Sequence, residues 1–131
     1  MDYVIRKIRE TELPRLVEMC NSHAEYERVE YDSKGKVHAL QSVVFSDNPK
    51  LFCYVIEAAF KLEGYFTFTF DFSTWDAQTY LYLDCLYLEP PYRGLKIGDK
   101  IFDMLVAIAK KNRCVNIQWQ TPVFNEKAIK F

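Results

Sequence analysis

Apolar positions recur with two different periods along the chain, and the changes of period mark out its elements. Residues 3–8 are short and β-branched, which predicts a first strand. Thr11 can cap a helix carrying Leu13, Leu16, Val17 and Cys20 on one face, with Pro14 tolerated in the first turn and the helix running to about Glu27. Polar residues 31–36 break that pattern. A second helix through Leu40, Val43 and Val44 then stops near Asp47-Asn48-Pro49. From there the period shortens to two. Residues 51–58 form a nearly continuous apolar run, and 64–72 alternate strictly, with Phe66, Phe68, Phe70 and Phe72 against Tyr65, Thr67, Thr69 and Asp71. Residues 73–77 read as a turn and 80–88 as a further strand, which predicts an antiparallel meander. After Gly98 the helical period returns, with Ile101, Met104, Leu105 and Ile108 facing inward and Lys110, Lys111 and Arg113 at the C-terminal end, where cations suit the dipole. Val115, Ile117 and Trp119 alternate with Asn116, Gln118 and Gln120 as another strand, and Asn125 is expected to start a last helix over 126–131.

The predicted order is β-α-α-β-β-β-α-β-α in one α/β (α+β) domain over 1–131, a mixed, mainly antiparallel sheet flanked by helices. Composition narrows the classes. Half of the 131 residues are hydrophobic and 16% are aromatic, enough for a buried core. A formal net charge of −1 argues against a nucleic-acid surface, whose affinity comes mainly from basic side chains. No apolar run approaches membrane-spanning length, and Met1-Asp2-Tyr3-Val4 lacks the plan of a signal peptide. The expectation is a cytoplasmic protein without a membrane partner. Cys20, Cys53, Cys85 and Cys114 lie far apart inside apolar patterns, as reduced thiols do, and His23 and His38 show no ligand spacing, so no metal is expected.

Chemistry concentrates where the strand over 80–88 passes through Glu89-Pro90-Pro91-Tyr92 into Arg93-Gly94-Leu95-Lys96-Ile97-Gly98 and the next helix. A strand feeding a helix through an Arg- and Gly-bearing loop aims backbone N–H groups and the positive helix end at one point, which suits a phosphate or pyrophosphate. Alone, such a junction could equally be an ordinary strand–helix turn. The order of elements, Arg93-x-x-x-Ile97-Gly98 opening the helix, and Asn125-x-x-Ala128-Ile129-x-Phe131 together resemble the GNAT family of N-acetyltransferases. The opening 3–7, then Ala24-Glu25-Tyr26-Glu27, and the aromatic strand ending near Trp75-Asp76 look like its diamine (spermidine/spermine) acetyltransferase branch.

The resemblance implies an enzyme moving an acetyl group from acetyl-CoA directly to a primary amine of a small molecule, polyamine-like or amino-acid-like. It implies that Arg93 and the N–H groups of Gly94, Leu95, Lys96, Ile97 and Gly98 hold the pyrophosphate. The backbone edge of Leu86, Tyr87 and Leu88 would pair with the pantetheine arm, and Asn125 would contact the cosubstrate. Asp84 matches a carboxylate that helps deprotonate the amine. Tyr26, Glu27 and Trp75 would face the acceptor, and a homodimer is an assembly common in the family.

Bland readings stand beside these. Asp84 could be a structural carboxylate, Glu25, Glu27 and Glu30 a solvated helix face, and Trp75 a packing residue. Two departures from the family pattern matter. Lys96 replaces the middle glycine of the loop, keeping its N–H and adding an ammonium. The chain also ends at Phe131, where the family pattern continues with a Tyr and two strands, so the expectation is a chain cut short, lacking the Tyr general acid. That departure keeps a non-catalytic acyl-CoA-binding module, or a subunit assembling through its sheet edge, as alternatives.

Overall fold

The computed structural model describes residues 2–120 and the backbone of residues 126–130. Among them a six-stranded sheet runs in the order β1 (Val4–Lys7), β2 (Phe52–Ala58), β3 (Lys61–Ser73), β4 (Gln78–Leu88), β5 (Asn116–Gln120) and β6 (Glu126–Lys130). All neighbours are antiparallel except β4 and β5, which are parallel and joined by α3 (Ile97–Lys111). Helices α1 (Leu13–Glu27) and α2 (Lys36–Val44) lie between β1 and β2 in the chain. The mixed, mainly antiparallel sheet flanked by helices is thus the architecture that the two periods predict.

Strand alternation divides the core into two layers. On one face Ile56, Phe66, Phe68, Leu81, Leu83 and Ile117 meet Ile97, Ile101, Leu105 and Ala109 of α3, a row spaced four apart and all but fully buried. Met104 and Ile108, expected in that row, are only half-buried. On the other face Val55, Leu62, Tyr65 and Tyr87 meet Leu13, Leu16 and Met19 of α1. Phe72 departs from its stripe: at the outer end of β3 it is largely exposed.

One expectation is overturned. Residues 126–130 form a strand rather than a last helix, pairing with β5 from Asn116↔Lys130 to Gln120↔Glu126. A five-residue segment cannot sustain a helix by itself, whereas the outer edge of β5 offers unpaired peptide groups. Nor does Thr11 cap α1. A 3-10 turn, Glu10–Glu12, precedes the helix, and Glu12 bonds back to the Arg9 N–H at 2.8 Å.

Glu12 also fixes α1 to the sheet. Arg6 on β1 grips its carboxylate with two nitrogens, at 2.9 and 2.6 Å, and reaches Glu57 on β2 at 2.9 Å. The Arg6 hydrogen bonds hold the Glu12 carboxyl below its ordinary value of 4.5. A depressed carboxyl adds stability that is present in full above the unfolded-state value and lost as pH falls through the folded-state one. Glu12→Gln is therefore expected to cost about 1–2 kcal/mol at neutral pH and to flatten the acid limb of the stability curve below about pH 4.5. Urea unfolding across pH 2–7 checks both, and parallel acid limbs for the two proteins would refute the coupling.

Candidate active site

The site begins with a fault in β4. Thr67 pairs with Cys85 while the next residue of β3, Phe68, pairs with Leu83, so Asp84 is the extra residue of a β-bulge. A bulge bends its strand and increases its twist. The consequence shows on the other side of β4. Pairing with β5 covers Leu81, Tyr82 and Leu83 and stops there, so the two parallel strands part at Asp84. Between them opens a cleft of about 520 Å³, whose walls include Asp84, Cys85, Leu86, Phe102, Trp119 and Glu27.

Past the bulge, residues 85–88 keep β3 on one side and have no β5 partner on the other. Such an edge can hydrogen-bond an extended ligand. Among the described residues, Leu86, Tyr87 and Leu88 therefore have no sheet partner on that side.

Asp84 is exposed at the cleft wall, and its Oδ2 accepts from the Thr67 hydroxyl at 3.3 Å and the Cys85 thiol at 3.7 Å. Burial, with Asp84 beside it, pushes the Cys85 thiol up to about 12, so it stays a neutral donor across the neutral range. Both partners engage the same oxygen, Oδ2, of the carboxylate.

Beyond β4 the chain makes a second 3-10 turn, Pro90–Tyr92, and enters α3 through the Arg- and Gly-bearing loop. Gly94 has φ +76° and Lys96 φ +63°, so both adopt the left-handed conformation. Lys96 is the N-cap of α3, and no side chain caps the helix. Its first peptide N–H groups are thus available to an anion in the way the sequence suggests, with Asp99 the acidic residue of the first turn. Lys96 pays for its left-handed backbone with about 1 kcal/mol that glycine would not incur.

Arg93 is anchored at the start of the loop. Its Nε donates to the Leu88 carbonyl at 2.8 Å, and its guanidinium lies 4.3 Å from the Tyr26 ring centroid and 5.5 Å from that of Tyr87. It closes a second cavity of about 190 Å³ over Tyr26, Glu27 and Leu86. The structure therefore brings Asp84, Leu86, Tyr87, Leu88, Tyr26, Glu27 and Arg93 together. Trp75 is not among them: it stands 95% exposed in the β3–β4 turn and lines neither cavity. Asn125 lies outside the described residues.

His23 has no role in the sequence reading, which finds no metal-ligand spacing around it. It lines both cavities, and its Nδ1 lies 2.8 Å from the Tyr65 hydroxyl. The signal was present as His23-x-x-x-Glu27, a helical spacing that puts both side chains on one face. Among the described residues no cluster of His, Cys, Asp and Glu could hold a metal ion, and no helix is long and apolar enough to cross a membrane.

The site is thus a parallel strand pair split at a bulge, with a strand edge and an uncapped helix start beyond it. Residues 5–131 match the acetyltransferase (GNAT) family, and the chain belongs to it. It is an enzyme of that family. Thialysine N-epsilon-acetyltransferase of Mus musculus is 29% identical over 133 residues, which cover 95% of this chain and 78% of that one. The protein of the same name from Sus scrofa is 29% identical over 134 residues, with 96% and 78% covered. Among solved structures, a predicted acetyltransferase from Clostridium acetobutylicum with acetyl-CoA superposes with a TM-score of 0.78 at 19% identity, covering 92% and 81% of the two chains. A possible acetyltransferase from Clostridium difficile gives 0.76 at 20% identity, covering 91% and 79%. These structures share the fold.

Proposed function

We propose that this chain transfers an acetyl group from acetyl-CoA to a primary amine of a small molecule by direct attack. The observation that carries the reading is the parting of β4 and β5 at the Asp84 bulge, which puts a carboxylate, a free strand edge and a cleft at one point. The relatives named for acetylating thialysine at its ε-nitrogen favour an amino-acid-like acceptor over a longer polyamine.

The residues present fit a CoA thioester in two respects. The unpaired edge over 85–88 offers peptide groups to an amide-bearing arm, and the uncapped start of α3 with Gly94 and Lys96 offers N–H groups and a cation to phosphates. Bound acetyl-CoA supplies an activated acetyl thioester. Arg93, anchored to the Leu88 carbonyl through Nε at the start of the loop, contributes its guanidinium charge to the same pyrophosphate site.

The amine arrives protonated, since a free alkylammonium titrates near ~10. Asp84 takes one proton, directly or through water, which frees the lone pair that then attacks the acetyl carbon; the nitrogen's second proton passes to solvent as the amide forms. Backbone N–H groups of the free edge meet the developing oxyanion. The C–N bond forms, the C–S bond breaks, and the leaving thiolate is protonated from solvent or a neighbouring donor. The whole chain, 1–131, acts as one domain in this reading, in the cytoplasm and without a metal.

Calorimetric titration with acetyl-CoA, followed by thiol release on adding L-lysine, thialysine or 1,4-diaminobutane, tests the proposal. Micromolar binding with amine-dependent release is expected. Binding without release would make the chain an acyl-CoA-binding module instead.

A further inference from the structure

The two cavities share three residues, His23, Glu27 and Leu86. His23 and Glu27 sit one turn apart at the end of α1, and the His23 Nε2 lies 3.4 Å from Glu27 Oε1. The imidazole is held from three sides: it stacks on Tyr87 at 5.2 Å, meets Tyr65 edge-on at 5.9 Å, and faces the Tyr65 hydroxyl through Nδ1. Its side chain is only 13% exposed. Burial also pushes the Tyr65 hydroxyl far up, so this phenol stays protonated and can donate to Nδ1. With Nδ1 accepting, a neutral ring carries its proton on Nε2, opposite the Glu27 carboxylate.

The helix dipole gives no reason for that carboxylate. Glu27 is the last residue of α1, where a negative charge opposes the helix dipole. A cation would be favoured there on electrostatic grounds. The position suits a function that needs an anion at the wall common to both cavities.

We propose that His23 is a positioning residue for the acceptor: it orients Glu27, the carboxylate that the family resemblance already turns toward the amine. Tyr65 fixes the ring, the ring fixes one oxygen of Glu27, and the other oxygen receives the ammonium on its way to Asp84 across the cleft. The proposal rests on the acetyl-transfer reading for its consequence in turnover, and on geometry alone for the pair itself.

Two measurements test it. In ¹⁵N-labelled protein, with His38→Gln to assign the signals, the neutral His23 ring is expected as the Nε2–H tautomer, and Tyr65→Phe is expected to mix the tautomers. In steady-state assays with L-lysine and 1,4-diaminobutane, His23→Leu should raise the amine KM about tenfold while leaving the acetyl-CoA KM unchanged. His23→Gln, which keeps an N–H toward Glu27, should recover most of that loss, and His23→Leu should add little to Glu27→Gln. An Nδ1–H tautomer, or an unchanged amine KM in His23→Leu with turnover intact, would overturn the inference and leave the proposed function standing. If no amine is acetylated yet the His23 ring signals move when 1,4-diaminobutane is added, the function fails and the ammonium site holds. If nothing moves, both fail.

Discussion

Replacing Gly64 by alanine is expected to lower the free energy of unfolding by about 2–4 kcal/mol. Gly64 lies on β3 opposite Leu88, between β2 and β4. A Cβ there would stand 2.7 Å from the Tyr87 carbonyl oxygen, 2.7 Å from Leu88 Cδ2 and 3.3 Å from Ile56 Cδ1. The leucine tip can turn aside. The carbonyl cannot, because it belongs to the strand, so alanine must push the end of β4 away from β3. Gly94→Ala is the natural control: its Cβ would meet nothing within 4 Å, and only its φ of +76° opposes the change. That strain costs about 1–2 kcal/mol. Urea unfolding of both variants separates steric from conformational cost. A loss below about 1 kcal/mol for Gly64→Ala would show that the strands yield freely and refute the close-approach argument. The same variant should weaken acetyl-CoA binding, since the displaced end of β4 is the free edge that borders the cleft.

Such constraints were unevenly legible in the sequence. The helical row ending at Ala109 and the alternation around Phe66 and Phe68 are direct statements of burial on one face, and they hold because nothing competes with packing there. The bulge was also written in the chain. Leu81 and Leu83 fall on odd positions and Leu86 and Leu88 on even ones, yet all four pack on the α3 side of the sheet. Only an extra residue between them, Asp84, can reconcile the two phases. A continuous reading of 80–88 passes over that shift.

The Arg93 side chain was not legible, because its direction depends on Tyr26 and Tyr87, which come from other elements. The segment 126–130 was misread as helix because local pattern says nothing about the open edge of β5. His23 escaped notice for the same reason. A lone histidine on an amphipathic helix acquires a role only from Tyr65, forty-two residues away.

The largest functional effect is expected from Asp84→Asn. Turnover of an ammonium substrate near pH 7 should fall about 10²–10³-fold, the range of a lost general base. Acetyl-CoA affinity should be nearly unchanged, because the Asp84 contacts are to the side chains of Thr67 and Cys85 and not to the free backbone edge or the α3 loop. The pH dependence carries the diagnosis. Without the carboxylate, attack relies on amine that solvent has already deprotonated, and that fraction rises about tenfold per pH unit until the amine's own value near ~10. The deficit of the variant should therefore shrink steadily from pH 7 to pH 9. A merely structural Asp84 predicts otherwise, because asparagine would disturb the bulge at every pH. The deficit would then be constant, and acetyl-CoA affinity would fall along with turnover. In the catalytic reading the bulge itself is untouched. Thr67 and Cys85 can still donate to the amide oxygen of asparagine, so the parting of β4 from β5 survives the substitution and only the proton acceptor is removed.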